Sequence, residues 1–154
     1  YGQYAQPEWA IRFKAIQGQN LADHTLIGGY ALTPDNRCVN YNTFSSFINV
    51  VVGTTHQGGL FAGYSANQGP ASRLTADSRF FGMGADAENT NNELLIKHLY
   101  RLTPTYAYQN GAWRVGVELE LTQAQWAKRQ ADGHLGNTTP SANQRVYAIL
   151  MYRF

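Results

Sequence analysis

The chain has 154 residues, a net charge of +2, one cysteine and 44% hydrophobic residues, which bounds it to one domain with a core. No apolar run approaches the ~18 residues of a spanning helix, no basic block marks a nucleic-acid partner, and a lone Cys excludes an intrachain disulfide. Charged residues are 14%, where a soluble domain has about a quarter, while ten Tyr, seven Phe and three Trp supply side chains that favour a water–lipid boundary.

In chain order, residues 1–7 read as the tail of a loop. Residues 8–17 alternate, with Trp9, Ile11 and Phe13 on one face and Arg12 and Lys14 on the other, and read as a first strand. Residues 18–23 are a polar turn. Residues 24–33 read as a second strand, with Leu26, Tyr30 and Leu32 on its apolar side, and residues 34–42 as a loop in which Cys38 is incidental. Residues 43–53 form a β-branched third strand and 59–67 a fourth. The stretch 68–92 is non-periodic and carries Gly69-Pro70, Gly82 and Gly84. It reads as an outer loop, either folded inward as a constriction or capping the end of the sheet.

A long fifth strand spans 93–108, with Pro104 marking a bulge or an unpaired position, because proline cannot donate to the ladder. Asn110-Gly111 is the strongest hairpin signal. The sixth strand, 112–123, alternates most cleanly: Trp113, Val115, Val117 and Leu119 against Arg114, Gly116, Glu118 and Glu120. Residues 125–143 are polar and read as a loop. Residues 145–154 form the last strand, in which Val146, Ala148, Leu150, Tyr152 and Phe154 share a face.

These connections alternate short and long. A transmembrane β-barrel has that asymmetry, with short periplasmic turns and long outer loops. Counting back from the last strand, the first must run toward the periplasm, and seven strands do not close an even-stranded barrel. The expected fold is therefore all-β: an antiparallel transmembrane β-barrel of which 1–154 supplies about seven C-terminal strands, with at least one more strand before Tyr1. The lack of an initiator Met and of a signal peptide fits a processed or truncated piece. A rival count takes 78–84 as an extra strand of a complete eight-stranded barrel.

The stretches 42–47, 58–65, 100–104 and 145–154 resemble the C-terminal half of DcaP-like porins, most closely those of Bacteroidota, and the closing segment resembles the assembly signal of Gram-negative outer-membrane barrels. The resemblance implies a water-filled channel for small solutes in the bacterial outer membrane, with lipid and the barrel assembly machinery as partners and a homotrimer as a common state. Trp9, Ile11, Phe13, Trp113, Val115, Val117 and Leu119 then face lipid, where a charge costs about 2–4 kcal/mol at midplane. Arg12, Lys14, Lys97, Arg101, Arg114, Glu118, Glu120, Arg145 and Arg153 line the pore. A mostly positive wall favours anions; the same charges could instead pair and fill the interior. No His stands two residues from a Ser on one strand face, and no His/Cys spacing suits a metal, so neither an enzyme nor a cofactor is expected. The alternatives are a small eight-stranded structural or adhesive barrel and a soluble ligand-binding β-barrel.

Overall fold

The computed structural model describes residues 1–24, 26–83 and 94–153. Its strands are Gly2–Gln6 (β1), Trp9–Gln19 (β2), Gly28–Leu32 (β3), Cys38–Val52 (β4), His56–Pro70 (β5), Arg79–Met83 (β6), Leu94–Asn110 (β7), Trp113–Arg129 (β8) and Leu135–Tyr152 (β9). All belong to one antiparallel sheet. Its main path is β1-β2-β4-β5-β7-β8-β9, and β3 and β6 pair with each other off that path, with β3 joined to β4. The sheet does not close: β1 and β9 are its two edges.

The main path has seven strands, but not the seven read from the sequence. Residues 24–33 are not a stave of the wall. They hold the end of a 3-10 turn, Leu21–His24, and the short β3, which borders only the upper part of β4. The missing stave is β1, whose residues carry no alternation that reveals a strand. It hairpins onto β2 through Pro7 and Glu8, with Gly2 opposite Phe13. A side chain at Gly2 would run into the Phe13 ring, so glycine is what allows that ring to lie over β1. Residues 78–84 do contain a strand, β6, but it lies beside β3 and adds no stave.

A second correction concerns 125–143. Its polar composition reads as a loop, yet β8 continues to Arg129 and β9 begins at Leu135. The turn is confined to 130–134, where Gly133 has φ +90, a conformation that favours glycine. Likewise Cys38–Asn42 belongs to β4 rather than to a loop. Connections still alternate: 7–8, 53–55 and 111–112 at one end, called lower here, and 20–37, 71–93 and 130–134 at the other. The lower turns are tied together by Gly53 N–H donating to Glu8 O at 2.7 Å and Gln109 N–H donating to Thr55 O at 2.8 Å.

Buried apolar residues gather at the upper end. Ala31, Val39, Tyr41, Leu74, Phe80 and Leu95 form one cluster, in which Tyr41 and Phe80 meet edge to face at 5.0 Å. Tyr41 Oη donates to Gly133 O at 3.0 Å, Leu74 N–H to Asp132 O at 3.0 Å, and Arg129 Nη2 to Ser78 O at 2.7 Å. These contacts lock two of the upper connections onto the ends of β4, β7 and β8. Below this cap the sheet is a single layer. A soluble domain covers the apolar face of a sheet with a second layer; here nothing described covers it.

Candidate functional site

The two faces of the sheet differ in chemistry. Cross-strand partners share a face, so register fixes membership. One transverse row runs Ile11–Val50–Leu60–Pro104 and continues through Leu119 to Val146. The rows on either side carry Phe13, Ile48, Ala62 and Leu102, and Trp9, Val52, Tyr106, Val117 and Ala148. This face holds Trp9, Ile11, Phe13, Trp113, Val115, Val117 and Leu119 together, and with them Val146, Ala148, Leu150 and Tyr152 of the last strand. Phe154 lies outside the described residues. The face is bare: Phe13 is 54% exposed, Trp113 52% and Leu150 71%. Below the upper ends of β7 and β8, where Lys97 and Arg129 lie, it carries no Asp, Glu, Lys or Arg among the described residues of the main-path strands.

Aromatic rings edge this bare face along two lines. The lower line is Tyr4, Trp9, His56, Tyr108, Trp113 and Tyr152, with Tyr4 5.2 Å from Trp9, His56 4.9 Å from Tyr108 and Trp113 4.7 Å from Tyr152. Measured along β7, Tyr4 is level with Pro104, Trp9 with Tyr106, His56 with Tyr108, and Trp113 and Tyr152 with Asn110. The line therefore slips about one residue per strand. A slip of ~3.3 Å per ~4.8 Å of strand spacing is a tilt of about 35°. The upper line follows the same slant, with Phe44 level with His98 and Tyr64 level with Tyr100. Its rings touch, Tyr64 and Tyr100 at 5.1 Å, and Tyr64 Oη is hydrogen-bonded to His98 Nδ1 at 2.9 Å. Tyr64 and Tyr100 stand eight residues above His56 and Tyr108 on their strands. At ~3.4 Å per residue and this tilt, the two lines are about 22 Å apart in height.

The opposite face is polar. Arg12, Lys14, Arg101, Arg114, Glu118, Glu120 and Arg145 all point to it by register, and Arg153, next to the end of β9, continues its alternation. Surface hollows also lie on this face. Arg101 Nη1 meets Glu120 Oε2 at 3.5 Å, with the Glu120 side chain 10% exposed and that of Arg101 46%. Thr122 Oγ1 donates to Glu120 Oε1 at 3.2 Å, and Arg145 is the cross-strand partner of Glu120. So part of the charge is paired inside the sheet, while Arg12, Lys14 and Arg114 form no ion pair among the described residues.

Lys97 stands apart from this set. The register of β7 on β8 shifts between Ile96 and His98, which makes Lys97 the extra residue of a bulge. Its ammonium donates to Leu135 O at 3.1 Å and Gly136 O at 3.2 Å, so it braces β9 at the upper end. The bulge also moves Ile96 from the face of Tyr100, where simple alternation puts it, to the face of Arg101. Pro104 makes no bulge: the register is the same on both sides of it, Leu102 with Leu121 and Thr105 with Glu118.

Sequence reasoning missed the segment that folds over the polar face. Leu26 and Ile27 line a hollow of about 380 Å³ with Phe47, Phe61, Leu99 and Arg101. Leu21 lies over Gly18, and Gly28 abuts the Thr43 hydroxyl, which is buried without a hydrogen-bond partner. The inward segment therefore belongs to the connection 20–37. Of the stretch 68–92, residues 68–70 finish β5, Leu74 and Phe80 join the upper cluster, β6 pairs with β3, and 84–92 lie outside the described residues. A second hollow, of about 240 Å³, opens between Asn49, Arg101, Thr103, Thr105, Glu118 and Glu120. The Asn49 side-chain oxygen is buried there and accepts no hydrogen bond, an arrangement that costs about 1–3 kcal/mol.

Among the described residues no three His, Cys, Asp or Glu side chains group as metal ligands, and His56 and His98 sit in the aromatic lines rather than beside a nucleophile. No protein-family model matches the chain, and no curated protein and no solved structure matches it.

Proposed function

We propose that the chain forms seven strands of an outer-membrane β-barrel that acts as a porin-like channel for small hydrophilic solutes. The observation that carries this reading is the inversion of the two faces: between the aromatic lines the apolar face is bare and free of charge, and the charged face holds three hollows. In water that arrangement exposes a wide apolar patch, which soluble monomers avoid; in a bilayer it is the stable one. The two aromatic lines, about 22 Å apart, match the ~25 Å apolar band with its aromatic girdles, and the slant of about 35° falls in the range of barrel strands. The open edges at β1 and β9 need partner strands in lipid, since an unpaired edge costs several kcal/mol per group there. A larger barrel supplies them. The eight-stranded alternative loses its extra stave, because β6 lies off the main path.

The pore reading assigns the polar face to water. Arg12, Lys14, Arg101, Arg114, Arg145 and Arg153 outnumber Glu118 and Glu120 on it, which biases conduction toward anions. Planar-bilayer recording of the reconstituted protein tests both parts. Stepwise conductance with a reversal potential of anion sign in a KCl gradient is expected. Cation preference would sink the selectivity, and absence of conductance would sink the channel.

A further inference from the structure

We propose that the hollow between Asn49, Arg101, Thr103, Thr105, Glu118 and Glu120 is a binding subsite for a neutral polyhydroxylated solute of about monosaccharide size; the inference rests on the channel reading, which gives such a solute access to this wall. The chemistry of the lining excludes a simple ion site. Glu120 is held by Arg101 at 3.5 Å and has Arg145 as its cross-strand partner. With Glu118 the lining holds two carboxylates and one guanidinium, and Arg145 lies outside it, hydrogen-bonded to Tyr147. Glu120 is paired, so Glu118 is left as a lone carboxylate, one anionic ligand where a hard cation takes several. What is left is hydrogen-bonding capacity. The Glu118 carboxylate and the Thr103 and Thr105 hydroxyls make no side-chain hydrogen bond among the described residues. The Asn49 amide lines the hollow with its oxygen buried and unpartnered, and a donor entering the hollow gives that amide a reason to turn toward it. A hydroxyl both donates and accepts, so a ring carrying several serves carboxylate, amide, hydroxyl and guanidinium together.

The hollow also has an apolar wall. Phe61 lines it and is stacked on Phe47 at 5.5 Å with the planes 28° apart, which fixes the ring. A fixed aromatic face beside convergent polar groups suits a ligand with a C–H face and a hydroxylated rim, and the fixed ring lowers the entropy lost on binding. Phe61 and Arg101 line both this hollow and the upper one beneath Leu26 and Ile27, so a solute passing along the wall meets the subsite below the inward segment.

Saturation-transfer NMR on the protein in detergent micelles, with D-glucose as the probe, tests the subsite. Transfer to glucose ring protons is expected for the native chain, at least fivefold weaker in Asn49→Leu and in Phe61→Ala. Asn49→Leu keeps the test open should Phe61→Ala fail to fold, because it removes an unpartnered polar group and replaces it with a side chain of similar size. Equal transfer in the native chain and Asn49→Leu overturns the proposal, as does transfer to choline or succinate without transfer to glucose. Bilayer conductance of the same preparation separates the two readings. A conducting protein that takes no glucose refutes the subsite alone. A non-conducting protein whose glucose transfer is lost in Asn49→Leu refutes the channel and supports the subsite.

Discussion

Leu119→Arg distinguishes a lipid-facing sheet from a water-facing one. Leu119 lies on β8 in the row that continues to Val146, between the two aromatic lines, and is 37% exposed. It stands six residues above Trp113, which at ~3.4 Å per residue and a tilt of about 35° is roughly 17 Å above the lower ring line. That height is in the upper third of the ~22 Å between the lines. An arginine costs about 2–4 kcal/mol at midplane and ~0–1 near the interfaces, so at this height it costs about 1–2 kcal/mol. The folding equilibrium in lipid vesicles, measured by denaturant titration, should drop by a factor of roughly 5 to 30 relative to Leu119→Ala, at ~1.4 kcal/mol per decade. Referencing to Ala removes the packing lost with the leucine itself. Asn143→Arg, exposed on the polar face of β9, should stay within about 0.5 kcal/mol, as surface substitutions do. Equal stability of Leu119→Arg and Leu119→Ala would refute lipid contact at this row.

Other consequences are as direct. Gly29→Ala should destabilise by more than about 1 kcal/mol, because Gly29 has φ +153 and a side chain there would strike the Phe81 carbonyl; hydrogen exchange should speed up in β3 and β6 and stay slow in β8. Unchanged exchange in β3 would contradict that packing. Arg101→Glu should move the reversal potential toward cations, since its side chain is half exposed to the polar face; no movement would mean that permeant ions do not pass it. In the upper connection, Thr33 Oγ1 and Arg37 Nε both donate to Asp35, each at 2.6 Å, and these hydrogen bonds hold its carboxyl below the ordinary value of 3.8. The clasp is therefore intact above that value and opens as pH falls through the lowered one. An Asp35 carbon-13 titration should show a depressed midpoint that rises in Thr33→Val, and a midpoint at or above 3.8 would count against the clasp.

The legible parts of the fold were those where one face is uniform. β8 alternates Trp113, Val115, Val117 and Leu119 against Arg114, Glu118 and Glu120, and both face membership and register followed from it. The first half of β9 shows the opposite case. Its run from Leu135 to Asn143 is polar and contains Pro140, yet it pairs with β8, Pro140 opposite Gln125. An edge strand needs no apolar pattern when its neighbour supplies the ladder, and it tolerates proline. β1 and β3 exchanged roles for a related reason: Gly2–Gln6 has little pattern of its own and depends on the Phe13 ring, while the apolar run at 26–32 packs under the cap instead of joining the wall. The Arg101–Glu120 pairing was readable from alternation and strand order. The bulge at Lys97, the inward segment with Leu26 and Ile27, and the unpartnered Asn49 depend on contacts between distant strands and leave no local signature.

Tryptophan quenching by brominated lipids tests most directly whether the bare face meets acyl chains. In a Trp126→Phe background, Trp9 and Trp113 report from the lower aromatic line, and a tryptophan substituted for Leu60 reports from the apolar row between the lines. Reconstituted in vesicles, Trp9 and Trp113 should be quenched most by bromines near the headgroup, and Leu60→Trp most by bromines deep in the chains. No quenching at any of the three sites, with free access of each to aqueous iodide, would contradict the membrane reading and return the sheet to water.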